Sequence, residues 1–364
     1  MAAKHPNYWE YTRVDDLLAL QGGLDGDEGA LTNDEVLFIT VHQVYELWFK
    51  LMLRELTTMR DLLARPVDEE RMSEIVRGAR RVTVLIQRCV DQFDVIETLT
   101  TREYLSFRDK LMPASGFQSA QMRQIEILMG LPDSERIGLG LDGSYLQALR
   151  AHDGSPSSAE ARVRRQLEDT PSLLDAFEEW LYRTPILGVG PEDPNAEAAV
   201  TRFVEAYELA HGGEVSASCE HARQLAQSAA DQSKLESRYD AERAALVEYL
   251  KAGGDARRRR IRAAILFLVT YQDLPLLAWP NALLESINEL EQRFIIFRQR
   301  HARMVERTIG RRTGTGGSAG VDYLDQTALE YRVFKELWAA RTFQIRRQAS
   351  PQLDDTGFFE FRAR

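Results

Sequence analysis

The stretch that decides the fold class runs Ile287-Asn-Glu-Leu-Glu-Gln-Arg-Phe-Ile-Ile-Phe-Arg-Gln-Arg-His-Ala-Arg-Met-Val-Glu-Arg-Thr308. Mostly apolar side chains recur there at alternating spacings of three and four residues, at Ile287, Leu290, Phe294, Phe297, His301, Met304 and Thr308. This period is that of one face of an α-helix, and an apolar face of this length favours burial against other elements. The pattern predicts a helix over 280–309 that stops at Gly310 and carries the imidazole of His301 on its core-facing side.

Similar helical periods cover most of the chain around this stretch. We predict further helices at about 34–63, 70–99, 119–130, 142–152, 157–183, 196–211, 217–252, 258–272 and 327–345. The first begins at Thr32-Asn-Asp-Glu35, a capping-box pattern, and its apolar residues on two faces predict that it is largely buried. Strand alternation and internal repeats are absent from the sequence. We therefore expect an all-α protein, with a single helical domain over 1–364 and a loose tail over 349–364.

The charge balance excludes several classes of partner. The chain has 46 Lys and Arg against 56 Asp and Glu, a net charge of -10, so it lacks the basic surface that binds a nucleic-acid backbone. The run Arg257–Arg260 fits a solvated helix start, an interface patch or a phosphate site. Cys89 and Cys219 form no disulfide or metal motif, the N-terminus lacks a signal-peptide core, and the most apolar stretch, 263–279, contains Pro275 and polar residues. We expect a soluble, cytoplasmic protein that binds neither nucleic acid nor a membrane.

Two histidines lie on apolar helical seams, and they carry the chemical prediction. His301 belongs to the stripe described above, and His42 shares a seam with Phe38, Tyr45 and Phe49. Each histidine fits either a core residue satisfied by one hydrogen bond or a cofactor ligand. Two such imidazoles on separate helices suit a non-covalent haem whose iron takes one axial histidine and stays open to O2 on its other side.

Competing chemical signals are weaker. The loop Gly314-Thr-Gly-Gly-Ser-Ala319 fits the pattern GxGxxA, but it follows a helix rather than a strand and therefore does not indicate a dinucleotide site. Walker, HExxH, nucleophile-elbow and CxxCH motifs are absent from the sequence. A di-metal carboxylate bundle would need inward Glu-x-x-His pairs, which the pattern does not provide. The remaining histidines are expected in exposed positions, at His5, His152, His211 and His221.

Five groups of residues resemble the tryptophan 2,3-dioxygenases in order and in spacing. They are Tyr8-Trp-Glu-Tyr11 with Leu17-Leu-Ala-Leu-Gln21, the stretch from Asp34 to Lys50 with its His-Gln-x-x-Glu-Leu-Trp motif, Phe107-Arg108 with Pro113-Ala-Ser-Gly-Phe-Gln-Ser119, His301 through the Gly-Thr-Gly-Gly-Ser loop, and Tyr331-Arg-Val-Phe-Lys-Glu-Leu-Trp338. The resemblance extends from residue 8 to about residue 342 and thus covers nearly the whole chain.

The resemblance implies an all-α fold, a b-type haem and assembly as a homotetramer. It makes His301 the axial ligand of the haem iron and His42 the distal residue that hydrogen-bonds the indole N–H. It makes Arg108 the clamp on the substrate carboxylate, a role that suits the paired donors of a guanidinium. It assigns further residues to the substrate pocket (Phe38, Tyr104, Leu111), the haem edge (Ser115, Gly116), a closing glycine loop that contacts substrate (Thr315), and the neighbouring subunit's site (Tyr8 and Tyr11, within an N-terminal segment over 1–30).

The implied reaction inserts both atoms of O2 into the indole C2–C3 bond of L-tryptophan or a close derivative, giving N-formylkynurenine for the kynurenine pathway. The sequence departs from the family pattern at Ala319, at Tyr271-Gln-Asp-Leu-Pro275 and at Phe297, where a tryptophan is usual. These departures leave two other functions open. One is a haem monooxygenase of secondary metabolism that adds one oxygen to tryptophan or a β-substituted tryptophan, and the other is a non-catalytic haem or tryptophan sensor.

Overall fold

The computed structural model describes residues 7–111, 118–137, 145–151, 153–312 and 320–360. Within these ranges the chain forms α-helices joined by turns and short 3-10 segments, and it contains no β-strand. The α-helices are α1 (Tyr8–Thr12), α2 (Val14–Leu18), α3 (Asn33–Leu63), α4 (Glu69–Ile96), α5 (Thr101–Phe107), α6 (Ala120–Met129), α7 (Ser158–Glu168), α8 (Leu173–Arg183), α9 (Ala196–Leu225), α10 (Ala229–Lys251), α11 (Ala256–Thr270), α12 (Pro275–Ile309), α13 (Val321–Glu330) and α14 (Lys335–Thr342). The prediction of an all-α fold is confirmed.

Side-chain caps explain where many of these helices begin. A side-chain oxygen accepts a hydrogen bond from a backbone N–H of the first turn, which satisfies a donor that has no partner inside the helix. Such caps are Asn7 for α1, Thr100 for α5, Ser119 for α6, Ser157 for α7, Ser172 for α8, Ser228 for α10 and Asp255 for α11. At α3 the predicted capping box is half formed. Thr32 Oγ1 accepts from the Glu35 N–H at 3.2 Å, but the Glu35 carboxylate binds Lys110 Nζ at 2.7 Å instead of closing the box.

The predicted helix over 157–183 is wrong as a single element. The structure breaks it into α7 and α8, because Pro171 has no N–H to donate and Ser172 starts a new helix with its own cap. The predicted helix over 327–345 is likewise two helices. Between α13 and α14 the N–H groups of Val333 and Phe334 donate to the Glu291 carboxylate instead of to a helical carbonyl.

The break predicted over 212–216, between the helices at 196–211 and 217–252, is also wrong. The structure has one continuous helix there, α9. Each glycine in that stretch costs a helix roughly 1 kcal/mol relative to alanine. A continuous buried stripe on both sides of the glycines outweighs this cost, and it consists of Val200, Phe203, Val204, Tyr207, His211 and Val215. His211 is therefore buried, with its ring 6.2 Å from that of Phe343, and the prediction of an exposed His211 is wrong. His221 is exposed as predicted, and His5 and His152 lie outside the described residues.

The chain divides into two compact units. Unit 1 comprises Met1–Arg54, Val82–Thr170 and Arg293–Tyr331, and unit 2 comprises Glu55–Arg81, Pro171–Gln292 and Arg332–Arg364. A single domain over 1–364 stays a prediction. Each unit has buried apolar residues of its own, and the two histidines that carry the chemical prediction, His42 and His301, both belong to unit 1.

Unit 1 contains an aromatic core built by three helices. Tyr45 and Phe49 of α3, Phe93 of α4 and Phe297 of α12 are all buried, and their ring centroids lie 5.3 to 6.3 Å apart wherever they are in contact. The prediction that α3 is largely buried is wrong in part, because Leu51, one of its apolar residues, is 43% exposed. Among the described helices taken singly, α3 also has the length and hydropathy of a membrane span, a property that core helices share.

Arginines of the run Arg257–Arg260 form hydrogen bonds and ion pairs with other residues of unit 2. Arg257 binds Glu179 at 2.8 Å and Arg259 binds Glu197 at 2.9 Å, while the buried Arg260 donates to the Tyr182 carbonyl at 2.8 Å. These partners account for the basic run as helix-start and packing residues of unit 2. The predicted loose tail is packed against the same unit: the buried ring of Phe359 lies 5.6 Å from that of Phe267, and the Tyr271 hydroxyl donates to the Pro351 carbonyl at 2.8 Å.

Candidate active site

A cavity of about 610 Å³ lies within unit 1. Its wall is formed by side chains of α3, α4, α5, α6, α12 and α13 and by residues that flank these helices, namely Leu99, Leu111, Gln118, Ser119 and Gly320. A volume of this size falls within the range of about 300–1,000 Å³ that is usual for small-molecule and cofactor sites. Five of the residues predicted for the site line this cavity: Phe38, His42, Tyr104, Leu111 and His301.

On the α3 wall the helical spacing of four residues places the ring of His42 against that of Phe38. The ring centroids are 4.1 Å apart, and Phe38 in turn lies 5.9 Å from the ring of Tyr104. His42 Nδ1 is 2.7 Å from the Phe38 carbonyl oxygen. A carbonyl only accepts, so Nδ1 carries the proton and Nε2 of the neutral ring keeps its lone pair. His42 thus offers a hydrogen-bond acceptor.

The protonation of His42 follows from its surroundings. The ring lines the cavity and packs against the rings of Phe38 and Tyr45. Burial lowers the pKa of His42, and the Phe38 carbonyl and the charge of Glu46 oppose that shift without cancelling it. The imidazole is therefore neutral at neutral pH.

On the α12 wall His301 packs against two aromatic rings that also contact each other. Its ring stacks on that of Phe93 at 5.7 Å and on that of Phe297 at 6.2 Å. Burial, together with the charges of His42, Arg298 and Arg123, lowers the pKa of His301 to about 4. A neutral imidazole has a free lone pair, which is the form that binds a metal.

These features test whether the cavity fits a haem. A neutral imidazole on a buried helix face provides an axial ligand, and the rings of Phe38, Phe49, Phe93 and Phe297 on the cavity wall suit a flat apolar macrocycle. In the part of the chain that the structure describes, no group of three or more His, Cys, Asp or Glu could hold a bare metal ion. His301 and the aromatic wall would hold a haem through one protein ligand.

Arg108 contacts Tyr104, which lines the cavity. It begins a 3-10 segment, Arg108–Leu111, directly after α5 and is half-buried. Burial raises the pKa of Tyr104, while the charge of Arg108 and a hydrogen bond from its guanidinium oppose the shift. The structure thus brings the predicted carboxylate clamp next to the predicted pocket residue Tyr104.

The other predicted residues are not brought to the cavity by the described part of the chain. Ser115, Gly116, Thr315 and Ala319 lie outside the described residues. Tyr8 and Tyr11 are 76% and 79% exposed on α1 and are not among the described residues that line the cavity. Their assignment to a neighbouring subunit's site stays a prediction.

Gln43 and Glu46 of the His-Gln-x-x-Glu-Leu-Trp motif form hydrogen bonds near His42. The sequence alone did not predict a role for them. The Glu46 carboxylate accepts from Ser119 Oγ at 2.6 Å and from Gln121 Nε2 at 2.7 Å. Gln43 Oε1 accepts from Gln21 Nε2 at 2.7 Å. The motif could have predicted these contacts, because polar residues next to a buried histidine need hydrogen-bond partners of their own.

A charged cluster, formed by residues of α6 and α12 and by Arg136, was also not predicted from the sequence. The carboxylate of Glu126 is 2% exposed and binds Arg123 at 2.8 Å, Arg136 at 2.8 Å and Arg298 at 2.9 Å. Burial alone would raise the pKa of Glu126, but the three guanidinium groups lower it to about 2. Arg123 and Arg298 line the cavity, and Arg298 precedes His301 by one helical turn.

Comparison with known proteins places these residues in a family. Residues 2–344 match the family described as tryptophan 2,3-dioxygenase. The chain is 50% identical to a tryptophan 2,3-dioxygenase of Sorangium cellulosum (strain So ce56), over 99% of this chain and 88% of that protein. It is 48% identical to tryptophan 2,3-dioxygenase 2 of Ralstonia nicotianae (strain ATCC BAA-1114 / GMI1000), over 98% of each chain.

A further relative is named a tryptophan 2,3-dioxygenase-like protein, from Xanthomonas campestris pv. campestris (strain 8004), and is 49% identical over 72% of this chain and 98% of that protein. The match extends over nearly the full length, as the motif resemblance predicts, and the expected class of enzyme, an oxygenase, is confirmed. The chain therefore belongs to the tryptophan 2,3-dioxygenase family.

Proposed function

We propose that this chain oxidises the indole ring of L-tryptophan with O2, cleaves the C2–C3 bond to give N-formylkynurenine, and uses a b-type haem held in the cavity of unit 1. The observation that carries the proposal is the pair His42 and His301. Two neutral imidazoles from different helices line one aromatic cavity of cofactor size. Family membership supports the same reaction.

His301 would hold the haem, which supplies the redox chemistry with O2. Its ring packs against Phe93 and Phe297, and this contact restricts its rotation, so little rotational freedom would be lost when a ligand bond forms. A low pKa of the free imidazole keeps protons from competing for the nitrogen at neutral pH. Both properties prepare the site for an axial ligand bond.

The α3 wall would orient the substrate. His42 Nε2 is available to accept the indole N–H, and the ring of Phe38 offers an apolar surface next to it. Because indole N–H is a very weak acid, His42 positions the ring instead of removing a proton before oxygen attacks. Arg108 would bind the substrate carboxylate, next to Tyr104. The largely apolar wall would reduce the water around the substrate, so these residues would act chiefly by orienting it.

The roles of Ser115 and Gly116 at the haem edge and of Thr315 in a closing glycine loop rest on the resemblance alone. A loop that contacts the substrate ammonium and carboxylate would cover the cavity after substrate has entered. The substrate would then be held from both sides, by Arg108 and by Thr315.

We also propose that the chain is a cytoplasmic homotetramer. The N-terminal segment exposes an unusual number of large apolar side chains, namely Tyr8, Trp9, Tyr11, Leu17, Leu18, Leu20 and Leu24. Clustered exposed apolar residues mark surfaces that bind another protein. Light scattering on the full chain tests this, with a tetramer mass expected and a monomer mass contradicting it. The two free cysteines, Cys89 and Cys219, suit a reducing compartment.

A product assay tests the function. The protein is reconstituted with haem, reduced, and mixed with L-tryptophan in air, and N-formylkynurenine should accumulate in proportion to the O2 consumed. A product that carries a single added oxygen would instead show the monooxygenase. Binding of haem and tryptophan without turnover would show a sensor, and absence of haem binding would contradict all three.

A further inference from the structure

The cavity wall carries a cationic group that the proposed chemistry has not used. Arg123 on α6 and Arg298 on α12 both line the cavity and share the carboxylate of Glu126. The side chains of Arg123, Arg298 and Glu126 are 9%, 14% and 2% exposed. The two arginine side chains are thus largely buried and line the cavity.

Positive charge exceeds negative charge in this cluster. Three guanidinium groups contact Glu126, and the only further carboxylate within ion-pair distance of them among the described residues is Asp133, at 3.0 Å from Arg136. The three arginines and two carboxylates together carry a net charge of one positive unit. Burying an unmatched charge is costly, and the cost is offset when an anion binds.

A second observation points to a missing hydrogen-bond partner. The Nε atom of Arg123 is buried and has no hydrogen-bond partner in the described part of the chain. Arg298 is held in place by the ring of Tyr331, which lies 4.8 Å from its guanidinium carbon. One arginine is thus fixed and the other has a donor to spare, which is a suitable arrangement for a carboxylate.

We propose that Arg123 and Arg298 form the carboxylate-binding end of the cavity and receive a propionate of the haem. Arg298 and His301 lie one turn apart on α12 and line the same cavity, so one rigid helix would present both the axial ligand and the anion site. The proposal rests on the proposed function, because it assumes that haem occupies this cavity. The carboxylate of tryptophan is assigned to Arg108 instead.

Equilibrium titration of the apo-protein by absorbance tests the proposal without any measurement of turnover. Haem is compared with haem dimethyl ester, in which both carboxylates are masked and the iron and the macrocycle are kept. A charge-assisted contact is worth about a ten- to hundredfold difference in Kd, so the wild-type protein should bind haem tighter than the ester by about that factor. Equal affinities would overturn the proposal, and this comparison needs no variant that might fail to fold.

Substitutions then locate the effect. Arg298→Gln and Arg123→Gln should each bring the ratio of the two Kd values toward one, chiefly by weakening haem binding. Arg303→Gln is the matched control, because Arg303 is on the same helix but is exposed and paired with Asp325, and it should leave the ratio unchanged. If either cavity variant weakens haem and its ester by the same factor, the arginine is merely structural and the proposal is overturned.

The source of the carboxylate is tested by tryptophan binding to the haem-loaded protein. If Arg298→Gln weakens binding of L-tryptophan but not of tryptamine, and leaves the ratio for haem and its ester unchanged, the anion is that of the substrate and the proposal is wrong. The failure of the proposed function looks different. In that case the wild-type protein binds neither haem nor its ester, whereas failure of this inference alone leaves both bound with equal affinity.

Discussion

The imidazole of His301 stacks on the ring of Phe93, with centroids 5.7 Å apart and ring planes 9° from parallel. This contact joins α12 to α4 within unit 1 and fixes the orientation of the predicted iron ligand before any ligand binds. His42 on α3 is different, because its orientation is fixed by the bond from Nδ1 to the Phe38 carbonyl. This difference suits the two proposed roles, His301 as the metal ligand and His42 as a hydrogen-bond acceptor.

The first prediction separates the roles of these two histidines. His301→Ala should abolish stoichiometric haem binding, because it removes the axial nitrogen. His42→Ala should retain haem and lower turnover, since it removes only an acceptor at the substrate. Absorbance spectra of the purified variants and steady-state rates measure both effects, and His221→Ala, an exposed position on α9, is the control. Loss of haem in His42→Ala with retention in His301→Ala would reverse the assignment.

The second prediction concerns the carboxylate clamp. Arg108→Leu should raise KM for L-tryptophan about 10- to 100-fold, the size of a lost charge-assisted hydrogen bond. Because the clamp acts in the ground state and the transition state alike, kcat should change less than KM. Arg102→Leu, at an exposed position of α5, is the matched control. An unchanged KM in Arg108→Leu would remove Arg108 from the site.

The third prediction is an acid sensitivity that depends on Glu126. The pKa of this carboxyl is about 2 in the folded protein against a reference of 4.5. A lowered pKa stabilises the fold above the reference value, and the contribution is lost as the pH falls toward 2. The full contribution is about 3 kcal/mol at about 1.4 kcal/mol per pKa unit.

Denaturation of the wild type and of Glu126→Gln at about pH 5 and about pH 3 measures this contribution. The wild type should lose more free energy of unfolding between the two pH values than the variant does, by about 2 kcal/mol. Other carboxylates titrate in both proteins and largely cancel in the comparison. Equal losses in the two proteins would show that the arginines do not hold the Glu126 charge.

The fourth prediction tests the start of α6. Ser119 Oγ accepts from the Met122 N–H and donates to Glu46, so it joins the helix start to the helix that carries His42. Ser119→Ala should lower the free energy of unfolding by about 1–2 kcal/mol, because a cap is lost and the Glu46 carboxylate loses a donor. Ser106→Ala, at an exposed position of α5, is the control in thermal denaturation. A neutral Ser119→Ala would show that the cap contributes little.

Sequence period predicted most of the helices and the two central histidines, although the predicted helix over 142–152 is a turn and a 3-10 segment in its described part, 145–151. The apolar stripe of α12 is buried as expected, with Ile287 and Leu290 fully enclosed and His301 facing the cavity. The period failed where local chemistry opposed it. The period predicted one helix through Pro171, where the structure has two. The glycines at 212–213 suggested a break, but the buried stripe of α9 continues through them.

The charged cluster could not be predicted from the sequence in the same way. Arg298 and Glu126 are 172 positions apart, and whether they meet depends on how α6 and α12 pack. Period identifies buried faces but not which polar residues of distant segments pair with one another. The departure at Phe297 is accommodated simply, because its ring packs against Tyr45, Phe49, Phe93 and His301.

The central claim is that both atoms of O2 enter the indole ring. Turnover of L-tryptophan by the reconstituted enzyme under isotopically labelled O2, followed by mass spectrometry of the product, tests it most directly. We predict N-formylkynurenine that carries two labelled oxygen atoms. A product that carries one labelled atom, or unchanged tryptophan, would contradict the account.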